Sequence, residues 1–393
     1  MNISFAPPDI TEKEIDAVVQ VLKSGWITTG PKVKEFEENL SIYCGTEKAL
    51  CLNSATAGME LVLRFFGVGE GDEVITTPYT FAATANVILH CGAVPVFADI
   101  QEDDFNISVE KISSLITSKT KAIIPVDFAG MPCDYQKIYQ LVENKKNLFC
   151  AENPVQEKLG RVLVLSDAAH SFGSVYQGKK AGSWADFTVF SFHAVKNLTT
   201  AEGGAILFSS LGEIKSQEIY QKLKLFSLHG QSKDALDKFQ AGNWFYSIDL
   251  PGYKYNMTDI AAAMGISQLE RYEKDNLLPR KKIFQRYSQE IKGDYLFPLS
   301  ETAEKETNYH LYPLRIKKGE ERNRFVQYLA GKGIAANVHF IPLPMHSYYK
   351  SIGYKIEDYP VALKNFEREV SLPIYPQLTE NQIRYLIHTI NCF

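Results

Sequence analysis

Through the first half of this chain, short apolar runs alternate with amphipathic helical stretches, and that alternation constrains the fold more than anything else in the sequence. Residues 49–52, 74–75, 94–97, 121–126 and 162–165 read as strands apolar on both faces, as strands buried in a parallel sheet do. Residues 187–190 have the same strand-like character. Between these runs, residues 10–23, 32–43, 59–66, 135–143 and a stretch from Phe81 to Leu89 carry helical periodicity. In the first of them Thr11 is the expected N-cap, Glu14 follows three residues on, and Ile15, Val18, Val19 and Leu22 form the expected apolar face. Such units predict an α/β fold with a large, mostly parallel sheet covered by helices. Ligands of open α/β sheets bind where the strands end.

From about Gly252 the texture changes. Residues 257–290 form a long helical stretch, with Thr258 as a cap and Pro279 as a break. A strand over 309–316, a helix over 323–332, a strand over 334–340 and a closing helix over 380–391 follow. A chain of 393 residues is long enough for two domains. The expectation is a large domain over residues 1–265 and a smaller α+β C-terminal domain over 266–393. Residues 144–161 are polar and contain a proline, which reads as a surface insertion.

Composition serves mainly to exclude. The formal net charge is −4 with both signs interspersed, which argues against nucleic acid or an anionic membrane as the main partner. No apolar run approaches the about 18 residues a membrane span needs, and the N-terminus lacks a signal-peptide pattern. The cysteines Cys44, Cys51, Cys91, Cys133, Cys150 and Cys392 have no metal-like spacing, so they read as reduced thiols of a cytoplasmic protein, with no metal site.

The chemistry concentrates in S-F-H-A-V-K-N-L-T-T-A-E-G-G, residues 191–204. Lys196 sits there among turns and apolar neighbours, where a lysine loses its proton more readily and its neutral amine can condense with a carbonyl. Gly203 and Gly204 are expected to reverse the chain, since glycine tolerates positive φ. Asp167 ends a buried strand in D-A-A-H; a shielded carboxylate needs a cationic or proton-donating partner, although a helix N-cap explains it equally well. His170 would share its face in a helix. Strand, small-residue turn and helix start at N-S-A-T-A-G, residues 53–58, form a candidate anion site around Thr56, although helix-start packing accounts for small residues too. An amine, a strand-end carboxylate, an anion cradle and the flat ring of Phe81 after T-P-Y-T together match the needs of pyridoxal phosphate. Two further motifs are decoys. G-S-V-Y-Q-G-K-K, residues 173–180, resembles a P-loop but ends in Lys180 where Ser or Thr must hold magnesium. The two histidines of V-H-F-I-P-L-P-M-H have prolines between them, unlike a metal helix.

The segments S-G-W-I-T-T-G-P, S-A-T-A-G, G-E-G-D-E-V-I-T, D-A-A-H, S-F-H-A-V-K-N, A-E-G-G and P-G-Y-K-Y-N-M-T-D-I occur in order along the whole chain. On these, the chain resembles the DegT/DnrJ/EryC1/StrS sugar aminotransferases, pyridoxal-phosphate enzymes of fold type I. Within that family it resembles the branch that aminates C4 of a UDP-linked 4-keto pentose used in modifying lipid A. The resemblance implies a PLP-dependent aminotransferase of the aspartate aminotransferase-like fold, moving an amino group from glutamate to a nucleotide-linked keto sugar. It implies Lys196 as the cofactor-bound lysine and proton shuttle, Asp167 facing the pyridine nitrogen, His170 near the 3-hydroxyl side and Phe81 over the ring. Thr56, Ala57 and Ser191 would bind the phosphate, while His339 and the loop with Trp26, Thr28 and Thr29 would lie near the sugar nucleotide. A homodimer with sites shared across the interface is implied too, with Lys254, Asn256 or Asn243 reaching the partner's phosphate. The residue before Asp167 is Ser166 where relatives often have Glu, and the partner-subunit motif reads G-Y-K-Y-N-M. The alternatives are a 3-aminotransferase and a protein of this fold that binds or regulates without transaminating.

Overall fold

The computed structural model describes residues 1–232 and 245–393; Asn243 lies outside the described residues. The first helix, α1 (Glu12–Ser24), opens on a capping box: Thr11 accepts from the Lys13 N–H, and Glu14 reaches back to the Thr11 backbone. Its buried side differs from the expected one. Ile15 and Leu22 are exposed and Val18 and Val19 only half-buried, whereas Glu14 and Val21 are buried. Glu14 turns inward because Arg271 donates to it over 2.7 Å, a charge-assisted pairing that offsets the cost of burying the carboxylate. Pro31 at the start of α2 (Pro31–Cys44) supplies a pre-set helical φ with no amide to satisfy.

Strands β1 (Lys48–Leu52), β2 (Glu73–Thr76), β3 (Val94–Phe97), β4 (Thr120–Ile124), β5 (Leu163–Asp167), β6 (Phe187–Ser191) and β7 (Gly204–Phe208) form one sheet in the order β1-β7-β6-β5-β4-β2-β3. Neighbours from β6 to β3 are parallel, and β7 runs antiparallel to both β6 and β1. Side chains alternate between two cores. Cys51, Ile123, Val164 and Phe190 face one; Leu50, Ala122, Leu165 and Val189 face the other. Burial on both faces is what the apolar runs demanded. The flanking helices are α3 (Ala55–Phe66), α4 (Ala82–His90), α5 (Val109–Leu115), α6 (Tyr135–Asn144), α7 (Pro154–Leu159) and α8 (Ser216–Ser227). Helix α3 begins four residues before the expected start, because Ser54 caps it by accepting the Ala57 N–H at 3.1 Å. The polar stretch 144–161 is anchored rather than loose: α7 is capped by Asn153, and Asn153 and Gln156 both donate to the Phe66 carbonyl at the end of α3.

Beyond Thr258, which caps α9 (Asp259–Glu270), a π-helical turn over Tyr272–Leu277 leads into α10 (Leu278–Glu290), with Pro279 in its first turn. A second sheet of β8 (Tyr295–Leu296), β9 (Tyr312–Ile316) and β10 (Glu369–Leu372) is antiparallel and carries α11 (Arg322–Gly331) and α12 (Glu380–Asn391). Its core joins Ile283, Tyr287, Leu314, Phe325 and Leu386, and takes in Ile3 from the start of the chain. Two expected strands come out differently. Strand β9 starts only at Tyr312, since Tyr309 has φ 58°, outside any strand. Residues 334–340 form no strand: Ile334 bridges to Ile3 while Asn337 bridges to Ser371, so the segment changes partner before a ladder can form. The P-loop decoy is a β-hairpin, Val175–Tyr176 against Lys179–Lys180. Among the described residues no helix is long and apolar enough to cross a membrane.

Candidate active site

Where β5 and β6 end and α3 and α4 begin, the chain encloses a cavity of about 530 Å³. Its floor comes from the large sheet, and His310, Asn337, His339 and Phe340 from the C-terminal half close it above. Strand directions explain the placement: parallel strands all deliver their C-terminal residues to one edge, where helix N-termini also gather.

Asp167 is the last residue of β5. Thr84, in the first turn of α4, donates to its Oδ2 over 2.7 Å, and the Ala169 N–H donates to Oδ1 over 3.2 Å. Turns rather than a helix follow from Ala169, so Asp167 caps no helix here. Burial pushes its carboxyl above the usual range, while Thr84, Ala169 and the charge of Lys196 pull it back.

Lys196 sits on the loop after β6. Phe192 and Gly203 close that loop through a 2.8 Å backbone bond, and the Lys196 N–H donates to the His193 carbonyl at 2.9 Å. Its amine forms no ion pair among the described residues, and desolvation lowers its pKa to about 8 against the pull of Asp167. The two glycines that follow do not use positive φ, contrary to the expectation; the left-handed residue is Ala201, φ 67°. They are needed for close approach. A Cβ on Gly204 would lie 2.5 Å from the Ala55 nitrogen and the Ser54 carbonyl carbon. That contact seats the start of α3 against β7, and there the amides of Ala55 and Thr56 have no acceptor among the described residues. Thr56 and Ser191 line the cavity; Ala57 is buried beneath it, with its N–H taken by Ser54.

Three imidazoles share the upper wall. His170 stacks on Phe340 (ring centroids 5.7 Å apart) and lies 4.4 Å from the His310 ring; its buried Nδ1 has no hydrogen-bond partner. Burial and the neighbouring Lys196 hold His170 well below the usual histidine range. Asn197 fixes His310 through a 2.9 Å contact between its Oδ1 and Nδ1, since the Asn197 amide nitrogen is spent on the Asn308 carbonyl. His339 stacks on Phe5 and is held at about 4 by burial and Lys196. Phe81 is exposed at the mouth, 6.4 Å from the Phe340 ring. No group of described residues has the make-up of a metal centre.

Thus Thr56, Phe81, Asp167, His170, Ser191, Lys196 and His339 meet in one cavity. Trp26, Thr28, Thr29, Lys254 and Asn256 do not line it. Trp26, Thr28, Thr29 and Asn256 gather beside the starts of α2 and α9, where Thr29 donates to the Met257 carbonyl and Asn256 donates to Thr29 over 2.6 Å, while Lys254 bridges to Leu228. The Trp26 indole N–H donates to the Thr29 carbonyl, the Thr28 carbonyl accepts from the Asp259 N–H, and Lys254 is exposed. Sequence reasoning missed Thr84, whose hydroxyl in an apolar helix start was the available signal. It also missed His310, for which the sequence held no signal.

The model of the DegT/DnrJ/EryC1/StrS aminotransferase family matches residues 8–391. The spore coat polysaccharide biosynthesis protein SpsC of Bacillus subtilis is 38% identical over 397 residues, covering 99% of this chain and 96% of its own. Among solved structures, the Streptococcus pneumoniae protein Spr1654, assigned as a sugar aminotransferase, matches in its PMP-form with a TM-score of 0.96 and 48% identity. That match covers 100% of this chain and 98% of the other. Its PLP-form matches with a TM-score of 0.95 and 46% identity, over the same shares of the two chains. Helicobacter pylori PseC, described as an aminotransferase in the biosynthesis of pseudoaminic acid, matches with a TM-score of 0.87 and 30% identity over 99% and 98% of the two chains.

Proposed function

The chain belongs to the DegT/DnrJ/EryC1/StrS aminotransferase family, and from that we propose that it moves an amino group from glutamate to the C4 ketone of a nucleotide-linked sugar. The product would enter a cell-surface polysaccharide or lipopolysaccharide, a reading supported by the likeness to SpsC, a spore coat polysaccharide biosynthesis protein. The enzyme is a PLP-dependent transaminase of fold type I. One observation carries the reading of the site: a desolvated lysine and a buried, hydrogen-bonded carboxylate line the same cavity.

The residues present suit pyridoxal phosphate. The unpartnered His170 Nδ1, the two free amides at the start of α3 and the carboxylate held by Thr84 are polar groups that call for a ligand with matching atoms. Lys196 would hold the cofactor, Asp167 would meet its ring nitrogen, His170 its 3-hydroxyl side, and Thr56 with Ser191 its phosphate. Phe81 would cover the ring. When bound, the cofactor supplies a carbonyl for amine exchange and a ring that accepts electrons from a breaking C–H bond. The protein's part is acid–base control. With a pKa of about 8, Nζ of Lys196 exists in both protonation states near neutral pH, as a residue that takes and returns a proton requires. Thr84 and the Ala169 amide favour the ionised form of Asp167 against desolvation. Phe340, Phe5 and Phe81 limit water at the mouth.

Trp26, Thr28, Thr29, Lys254 and Asn256 belong in this reading to the site of a second copy, so the active species is a homodimer in the cytoplasm with each site completed across the interface. The exposure of Ile27, between Trp26 and Thr28, supports a covered face there. The large domain over 1–265 and the small one over 266–393 are part of the same proposal. The test is an assay with glutamate across a panel of keto-sugar nucleotides, measuring 2-oxoglutarate. Turnover of C4 ketones is expected. Turnover of C3 ketones alone would move the chemistry to C3, and no half-reaction with glutamate in a yellow protein would replace transamination with binding.

A further inference from the structure

His339 reaches the cavity from residues 334–340, and its side chain is fixed from behind by two residues of β10. The His339 N–H donates to Glu369 Oε2 over 2.9 Å, and its ring Nδ1 lies 2.9 Å from Ser371 Oγ. Ser371 Oγ in turn donates to Glu369 Oε1 over 2.5 Å. Glu369 and Ser371 are two residues apart on one strand, share a face and are fully buried. Backbone bonds between Asn337 and Ser371 in both directions hold the segment against β10, and Tyr79 donates to the His339 carbonyl. With Nδ1 engaged behind, Nε2 is the ring nitrogen left for the cavity.

We propose that Glu369 and Ser371 form a relay that decides which ring nitrogen of His339 carries the proton, and hence whether this histidine offers a ketone substrate a hydrogen-bond donor or an acceptor. The inference rests on the aminotransferase reading for its substrate and on geometry alone for the relay. A hydroxyl has one proton to give. When Glu369 is ionised, Ser371 gives that proton to Oε1, so Nδ1 must carry a proton and donate to Ser371; Nε2 is then bare. When Glu369 is protonated, Oε2 is still the acceptor of the His339 N–H, so the acid proton lies on Oε1 and goes to Ser371. Ser371 then donates to Nδ1, and Nε2 bears the proton. Passing from the second state to the first loses one proton, released from Nε2, while the carboxyl proton shifts to Ser371 and the Ser371 proton to Nδ1. The ring stays neutral in both states, in keeping with the burial that disfavours its cation.

Burial raises the Glu369 carboxyl to about 8, opposed by Ser371, the His339 amide and Arg322. Arg322 comes from α11, Arg315 sits opposite Glu369 on β9, Tyr79 approaches from the segment before α4, and Lys196 acts on His339 from the loop after β6. Both states are therefore reached within the working range, with the donor form below about pH 8 and the acceptor form above it.

The test follows the His339 ring nitrogens by NMR in 15N-histidine-labelled holoenzyme from pH 6 to 9, identified by the signals missing from His339→Gln. In the native protein Nε2 should pass from protonated to bare as pH rises. Glu369→Gln presents an amide N–H to Ser371 as the protonated acid does, so it should keep Nε2 protonated throughout. Ser371→Ala should remove the pH step, and Ser371→Thr should restore it. The pH profile of kcat/KM for the keto sugar should lose the Glu369 step in Glu369→Gln but keep the one from Lys196. The acceptor-dependent arm should change by roughly 10²-fold. A His339 tautomer that is the same in native, Glu369→Gln and Ser371→Ala proteins would overturn the relay. The NMR arm does not depend on substrate, so failure of the aminotransferase reading would show only in the kinetics. Thermal melts of each variant distinguish loss of fold from loss of relay.

Discussion

Lys196 and Asp167 reach one cavity from the ends of neighbouring strands, whereas Thr29 and Asn256 hold each other in a loop beside α2 and do not line it. The first pair owes its position to a sheet buried on both faces, where strand direction leaves little freedom. The second pair is satisfied by its own hydrogen bonds and by the Met257 carbonyl, so it is ordered without reaching its own chain's cavity. The contrast teaches that being preorganised and being assembled are separate things. A strand end brings chemistry together within one chain, while a self-satisfied loop presents a finished surface for something else to complete.

Variants on the two sides of this contrast should behave differently. Lys196→Ala is expected to lose activity by on the order of 10⁴-fold or more, and to be colourless with the cofactor added. Retained turnover would remove the lysine from the chemistry. Asp167→Asn should keep the fold and lose about 10²–10³-fold in kcat, because the charge proposed to face the cofactor ring nitrogen is gone. A fall in melting temperature without a fall in kcat would make Asp167 structural instead.

The protonation of Lys196 gives a third test. Its pKa is lowered to about 8, so the neutral amine grows with pH up to that point and is saturated above it. Colour formation on mixing cofactor-free protein with pyridoxal phosphate should therefore speed up by roughly tenfold per pH unit below 8 and level off beyond. A rate still climbing towards pH 10 would mean an ordinary, solvated lysine. The smallest effect belongs to the loop. Asn256→Ala should be impaired alone, yet equal mixing with Lys196→Ala should restore roughly a quarter of native activity, since half of the proposed dimers would then carry one intact site of two. An unimpaired Asn256→Ala, or no recovery on mixing, would return the loop to a purely structural role.

The same division accounts for what the sequence could tell. Strand-end residues were legible because buried parallel strands announce themselves as unbroken apolar runs, and whatever follows such a run lies at the sheet edge. Thr84 was hidden because its value depends on Asp167, which lies 83 residues away in sequence. The Thr11–Glu14 cap was legible, but Ile15 was taken for the core face, since helical periodicity cannot foresee that Arg271 pulls the Glu14 carboxylate inward and leaves an isoleucine outside. Residues 334–340 looked like a strand by composition, but a strand needs one continuous partner, and this one is shared between Ile3 and Ser371. That interruption is also what leaves His339 free to turn into the cavity.

Gly204 sets a dimension of the cavity by an atom it lacks. Its bare Cα lets β7 press against Ser54 and Ala55, and a single methyl group there would overlap backbone that cannot rotate away. The height of the α3 start above the sheet is thus gauged to the thickness of one carbon. The position works as a machined clearance rather than as a chemical group: alanine, the mildest of replacements, would overlap the backbone of Ser54 and Ala55 and displace the acceptor-free amides at the start of α3.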